Sequence, residues 1–189
     1  MMSQTNNTVL AMFDLDGTLF DTEKANYLAY RDACGNEFPL SSSFFHERCM
    51  SRNYREFLPE LGVPEEMLSS IHAKKKNLYR KYFHEIRPNK ALWDMAAAMK
   101  NSGIKLCLVT TASKKNAMEL LSAFGKEEFF DLVVTQETVR ALKPAPDAYI
   151  YAMEFFSVPP ERSVIFEDSE PGIQAAMQTG ASIFRIEKF

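Results

Sequence analysis

Cysteine is scarce in this chain: its 189 residues hold only Cys34, Cys49 and Cys107, far apart and odd in number. That spacing excludes a disulfide framework and a zinc site built on paired cysteines. It fits a reducing cytoplasm, where a lone cysteine serves as a small apolar side chain. Long apolar runs are also missing. No stretch of about 20 such residues exists, and the opening MMSQTNNTVL has no basic segment followed by an apolar one. Neither a membrane span nor a secretory signal is expected, and the predicted compartment is the cytoplasm. Positive charge is not in excess: 22 Lys and Arg against 25 Asp and Glu leave a net charge of −3, so no overall field invites nucleic acid or anionic lipid. The three histidines, His46, His72 and His84, form no metal-binding pair. There is no internal repeat, no low-complexity tract and no heptad seam, so a monomer is expected.

What is present is the composition of a soluble globular protein, 46% hydrophobic and 25% charged, long enough for one core of roughly 100–150 residues plus an accessory piece. Thr8-Val9-Leu10-Ala11-Met12-Phe13 is a short apolar run without polar alternation, and it ends at Asp14. Such a run predicts a strand buried on both faces. Similar runs occupy 104–109, 132–135, 164–166 and 182–186. Helical spacing fills the gaps: Ala117, Leu120, Leu121 and Phe124 line one face before Gly125, and Ile173, Ala176 and Met177 line another between Pro171 and Gly180. Alternating strands and helices predict a parallel α/β sheet. From about Asp21 to Arg87 the strand signal stops, and Met67, Leu68, Ile71, Leu78, Tyr79, Tyr82, Phe83 and Ile86 follow a helical period. The sheet therefore begins, is interrupted by a helical insert at 21–87, and resumes; residues 1–20 and 88–189 form the α/β domain.

Open parallel sheets bind ligands beyond the carboxyl ends of their strands. The apolar runs lead there into Asp14-Leu15-Asp16-Gly17-Thr18, Thr110-Thr111-Ala112-Ser113 and Glu167-Asp168-Ser169, with Lys143-Pro144-Ala145-Pro146-Asp147 ahead of a later helix. Any one of these alone reads as a loop, a solvated turn or a helix cap. Together they gather Asp14, Asp16, Glu167 and Asp168 at one edge, where their charges repel. A hard divalent cation resolves that repulsion, and an all-oxygen ligand set favours Mg2+. A lysine and a threonine hydroxyl suit a transferring phosphoryl group, for which positioning and charge neutralisation dominate.

These residues resemble the motifs of the haloacid dehalogenase superfamily. FDLDGTLFDTE is similar to its first motif, VTTAS to the second, KPAPDAY to the third and FEDSEPGIQAAMQTGA to the fourth, spanning about residues 10–181. The resemblance implies a Rossmann-like parallel sheet with flanking helices and an inserted all-α helical cap. It implies Asp14 as nucleophile, Asp16 as acid and base, Thr110 and Lys143 on the phosphoryl group, and the backbone N–H groups of Leu15 and Thr111 facing phosphate oxygens. It implies metal ligation by Asp14, Asp16, Asp168 and, directly or through water, Glu167. In the insert, Arg52 and Lys76, the latter in the Lys74-Lys75-Lys76 run, stand where caps of this kind read substrate.

Asp16 disfavours carbon–halogen chemistry, because the dehalogenases themselves lack this second aspartate. The expectation is a phosphatase acting on a small phosphorylated metabolite, with a β-phosphoglucomutase-like phosphomutase as the alternative. Against the mutase stand Asn26, where such sequences tend to carry histidine, and Thr18. A non-catalytic phospho-signalling module of the receiver type is disfavoured by the large helical insert.

Overall fold

The computed structural model describes residues 9–50, 52–187 and 189; Thr8 and Ser51 lie outside them. Leu10-Ala11-Met12-Phe13 forms β1 (Leu10–Phe13), and all four residues are fully buried. β1 pairs in parallel with β4 (Lys105–Val109) on one side and with β6 (Ser163–Glu167) on the other. β5 (Leu132–Val134) extends the sheet beyond β4, and β7 (Ser182–Arg185) extends it beyond β6. The order is β5-β4-β1-β6-β7. Phe13 lies opposite both Leu108 and Phe166, so the chain leaves these three strands at one common edge.

Side chains alternate across a strand, and each face of β1 has its own cover. Leu10 and Met12 join Cys107, Val109 and Ile165 under α7 (Asp147–Phe156) and α8 (Glu170–Met177), whose Tyr149, Ala152, Ala175 and Ala176 complete that cluster. On the opposite face the Phe13 ring stacks on Phe166 at 4.6 Å and meets Phe130, which in turn touches Trp93 of α5 (Lys90–Asn101). The indole Nε1 donates to the Leu19 carbonyl at 3.1 Å, so this aromatic is buried with its polar atom satisfied. Two helices begin just past the sheet edge on serine caps. The Ser113 hydroxyl accepts from Asn116 N at the start of α6 (Lys114–Ala123), and the Ser169 hydroxyl accepts from Gly172 N at the start of α8.

These residues, Pro88–Phe189 together with the described chain through Leu19, form one compact unit, and Phe20–Arg87 forms a second. The second unit contains α1 (Glu23–Cys34), α2 (Ser42–Arg48), α3 (Tyr54–Phe57) and α4 (Glu65–Tyr79) around a core that includes Tyr30, Phe45, Phe57, Leu58, Leu68 and Ile71. His72 is stacked on Tyr54 at 4.0 Å and bonded to the Tyr30 hydroxyl at 2.8 Å.

Two features depart from the sequence expectation. The helical period runs on through Tyr82 to Ile86, but the α-helix stops at Tyr79 and Arg80–Glu85 tightens into 3-10 turns. A three-residue period keeps Tyr79 and Tyr82, both buried, on one side. Where the insert leaves and rejoins the chain, β2 (Phe20–Asp21) and β3 (Arg87–Pro88) pair as a separate two-stranded ribbon; two residues are too few to display a period. No helix among the described residues is long and apolar enough to cross a membrane.

Candidate active site

The sheet order turns back at β1, whose neighbours β4 and β6 lead outward in opposite directions. A parallel sheet opens a ligand crevice at such a point, beyond its carboxyl ends. Asp14 follows β1 there, Thr110 follows β4, Glu167 ends β6 and Asp168 follows it. Asp14 N still donates to Phe166 O and Thr110 N to Val134 O, each at 3.0 Å. The ladder thus fixes both backbones while their side chains leave it.

Lys143 joins the cluster from the segment ahead of α7, and its side chain is only 4% exposed. Its Nζ donates to Asp14 Oδ1 at 2.6 Å, to Glu167 Oε2 at 2.7 Å and to the Val109 carbonyl at 3.1 Å. Three acceptors use all three ammonium protons. The Tyr149 ring centroid lies 5.1 Å from the same nitrogen.

Glu167 is fully buried and saturated with donors. Besides Lys143, its Oε2 accepts from the Tyr149 hydroxyl at 2.8 Å, and its Oε1 accepts from Ser169 N at 3.1 Å and Ser169 Oγ at 2.6 Å. Gly172 makes room for it, because a Cβ there would stand 2.0 Å from the Glu167 carboxyl carbon. Asp168 is treated alike. The Thr18 hydroxyl donates to its Oδ1 at 2.8 Å. Gly17 adopts φ +89°, and a Cβ on it would stand 2.1 Å from Asp168 Oδ2. Both glycines are required by the close approach of a carboxylate, and Gly17 also by its left-handed backbone.

Burial, and then repulsion from Glu167, push the Asp14 carboxyl well above the usual carboxylate range in spite of Lys143. Burial opposes the charge on Lys143, but Asp14, Tyr149 and Glu167 hold its ammonium well above the ordinary lysine value. Burial would raise Glu167 too, yet the charge of Lys143 and the hydrogen bonds from Lys143, Ser169 and Tyr149 keep it below its ordinary value. Asp168 is pushed up to about 6 by burial, against the Thr18 hydrogen bond, with Glu167 and Asp16 adding repulsion. The lysine is thus matched to one carboxylate's worth of charge and leaves Asp14 and Asp168 short of a cation. One oxygen each from Asp14, Glu167 and Asp168 lies within 4.8 Å of the others. This donor set, all carboxylate oxygen and deficient in positive charge, fits a hard cation.

The remaining sequence candidates differ in their surroundings. Asp16 is half-buried and close enough to act on Asp168. Leu15 is buried, and its carbonyl accepts from Leu19 N at 3.1 Å. Thr110 is buried with its Oγ1 accepting from Ala112 N at 3.0 Å, while Thr111 is exposed. Arg52 and Lys76 belong to the helical unit. Arg52 is exposed and bonded to Glu60 Oε1 at 2.7 Å, to Glu56 and to the Arg48 carbonyl. In the lysine run, Lys76 is half-buried and Lys74 Nζ donates to the Ala33 carbonyl at 3.1 Å. The enclosed ammonium is that of Lys75, which donates to Asn26 Oδ1 and lies 4.4 Å from the Tyr79 ring centroid. The helical phase carries this signal, since Lys75 stands four residues from both Ile71 and Tyr79 on the inward face. Thr18, Ser169 and Tyr149 lie within the quoted motifs FDLDGTLFDTE, FEDSEPGIQAAMQTGA and KPAPDAY, but the resemblance assigns them no part in holding the charged groups. Ser169 reads as a helix cap, and Tyr149 as the residue that closes KPAPDAY, with nothing to say what its hydroxyl meets.

Residues 11–186 match the family model described as haloacid dehalogenase-like hydrolase. The phosphorylated carbohydrates phosphatase of Thermotoga maritima is 33% identical over 173 residues, covering 89% of this chain and 80% of that protein. The fructose-1-phosphate phosphatase YqaB of Escherichia coli is 27% identical, over 89% of this chain and 91% of that one. Among solved structures, CbbY from Rhodobacter sphaeroides in complex with phosphate is similar with a TM-score of 0.82 at 28% identity, covering 96% of this chain and 87% of that one. Sequence and architecture agree that this chain belongs to the haloacid dehalogenase-like hydrolase family.

Proposed function

We propose that this phosphoric monoester hydrolase is a magnesium-dependent phosphatase that takes the phosphoryl group of a small metabolite, of the sugar-phosphate class, onto Asp14. The observation that carries the reading is the pairing of Asp14 with a buried ammonium beside a second, cation-deficient carboxylate, Asp168. The relatives named for phosphorylated carbohydrates and for fructose 1-phosphate support the substrate class.

Lys143 occupies Asp14 Oδ1 and leaves Oδ2 to attack phosphorus. The bond from phosphorus to the metabolite oxygen breaks, and Asp16 protonates that oxygen as it leaves. Asp16 then takes a proton from the water that attacks the aspartyl-phosphate, releasing inorganic phosphate and restoring Asp14. Lys143, the Thr110 hydroxyl and the backbone N–H groups of Leu15 and Thr111 hold the phosphoryl oxygens. Asp14 and Asp168, with Asp16, would hold the magnesium ion, which supplies positive charge to the phosphoryl oxygens. Glu167, its oxygens already taken by four donors, serves foremost to hold Lys143. We assign the helical unit the part of a cap that chooses the substrate.

Phosphate release from a panel of sugar phosphates and other small phosphorylated metabolites tests this reading. Turnover is expected with magnesium, and its loss with a chelator and in Asp14→Asn. Interconversion of hexose phosphates in the presence of a bisphosphate primer, without phosphate release, would replace the phosphatase by a mutase.

A further inference from the structure

The Tyr149 hydroxyl has no part in the steps above, yet it sits against the groups that perform them. Tyr149 is fully buried, so its O–H must find an acceptor inside the protein. It donates to Glu167 Oε2 at 2.8 Å, the very oxygen that accepts from Lys143 Nζ at 2.7 Å. Ser169 pins the other oxygen through its backbone N–H and its hydroxyl. A carboxylate held at both ends cannot rotate, and the ammonium it holds stays on Asp14. The ring adds a second contact, its centroid 5.1 Å from the same ammonium. α7 carries Tyr149 into the cluster with Ala148, Ala152 and Met153, so the hydroxyl is delivered from a packed element rather than a loop.

We infer that Tyr149 is a positioning residue for phosphoryl transfer: through Glu167 it fixes Lys143 on the nucleophile Asp14. The inference rests on the phosphatase reading of this site. A hydroxyl that merely satisfies its own burial would leave catalysis unchanged, whereas one that orients Lys143 has an effect only while Lys143 is there to be oriented.

Tyr149→Phe keeps the ring and removes the donor. The expected result is a fall in kcat on the order of 10- to 100-fold, with KM within about twofold and the melting temperature nearly unchanged. In a Lys143→Met background the same substitution should cost nothing further. An unchanged kcat, or a loss of equal size in both backgrounds, would overturn the inference and leave Tyr149 as packing. Tyr149→His, which retains an N–H donor on a ring, serves as a second variant and should recover part of the lost kcat; a value no higher than that of Tyr149→Phe counts against the inference. A wild-type chain that releases no phosphate from any substrate overturns the phosphatase reading instead. Vanadate binding with magnesium then decides for Tyr149, weakening in Tyr149→Phe only when Lys143 is present. A wild type that neither turns over nor binds vanadate overturns both.

Discussion

Among single residues, Asp168 gives the site a response to pH, alongside Asp14, whose carboxyl is also pushed up by burial. The folded-state value of Asp168, about 6, lies above the ordinary 3.8. In that window the metal-free folded chain holds a proton that the unfolded chain has lost, so Asp168 contributes stability at low pH that disappears as pH rises through 6. A cation binds the deprotonated form and releases that proton. The gain in melting temperature on adding magnesium is therefore expected to grow from pH 5 to pH 7.5, and a gain that is flat across this range would contradict the assignment. The carboxylates of the cluster are legible in the sequence because they stand where apolar runs end, as Asp14 does after Phe13 and Glu167 after Phe166, and Lys143 is legible through KPAPDAY. Their partners are not. Tyr149 lies 18 residues before Glu167 on another element, and nothing in its spacing tells where its hydroxyl points. Lys75 is hidden for the opposite reason: three adjacent lysines look alike in composition, and only the phase of α4 separates the buried one.

Among the strands and helices, each apolar run had one way to be buried, and the five strands of the main sheet follow from that. The ribbon of β2 and β3 and the 3-10 turns of Arg80–Glu85 do not, because two residues carry no period and a tightening of the helix leaves the pattern of apolar residues nearly the same. α8 shows how an element is shaped by the group beneath it. Its first turn carries Pro171, a favoured helix start, followed by Gly172, which is poor by propensity but necessary, since only a residue without Cβ fits over the Glu167 carboxylate. In Gly172→Ala, overpacking of about 1–3 kcal/mol is partly offset by the roughly 1 kcal/mol of helix propensity that alanine adds. Stability should fall modestly, while displacement of Glu167 and Lys143 should lower kcat more than about tenfold. Equal melting temperature and equal kcat in the variant would show that Glu167 need not lie where it does.

Across the entire chain, the sheet unites residues that are far apart in sequence: Leu10 pairs with Lys105 on one side and Ser163 on the other. Asp14 therefore meets Lys143 and a second carboxylate only once the sheet has closed around β1, and the intervening helices build a core of their own from near neighbours in sequence. The interruption is visible in the sequence as the loss of strand-forming runs, while the charged cluster depends on residues placed by the sheet edge and by the segment ahead of α7. Every step proposed for this site requires that the phosphoryl group pass through Asp14. Rapid acid quenching of the chain during turnover of its best substrate with magnesium, followed by peptide mass measurement, looks for that species itself. One phosphoryl group is expected on the peptide that carries Asp14, absent without magnesium and in Asp14→Asn. Phosphate release with no such adduct, or an adduct on another residue, would contradict the mechanism.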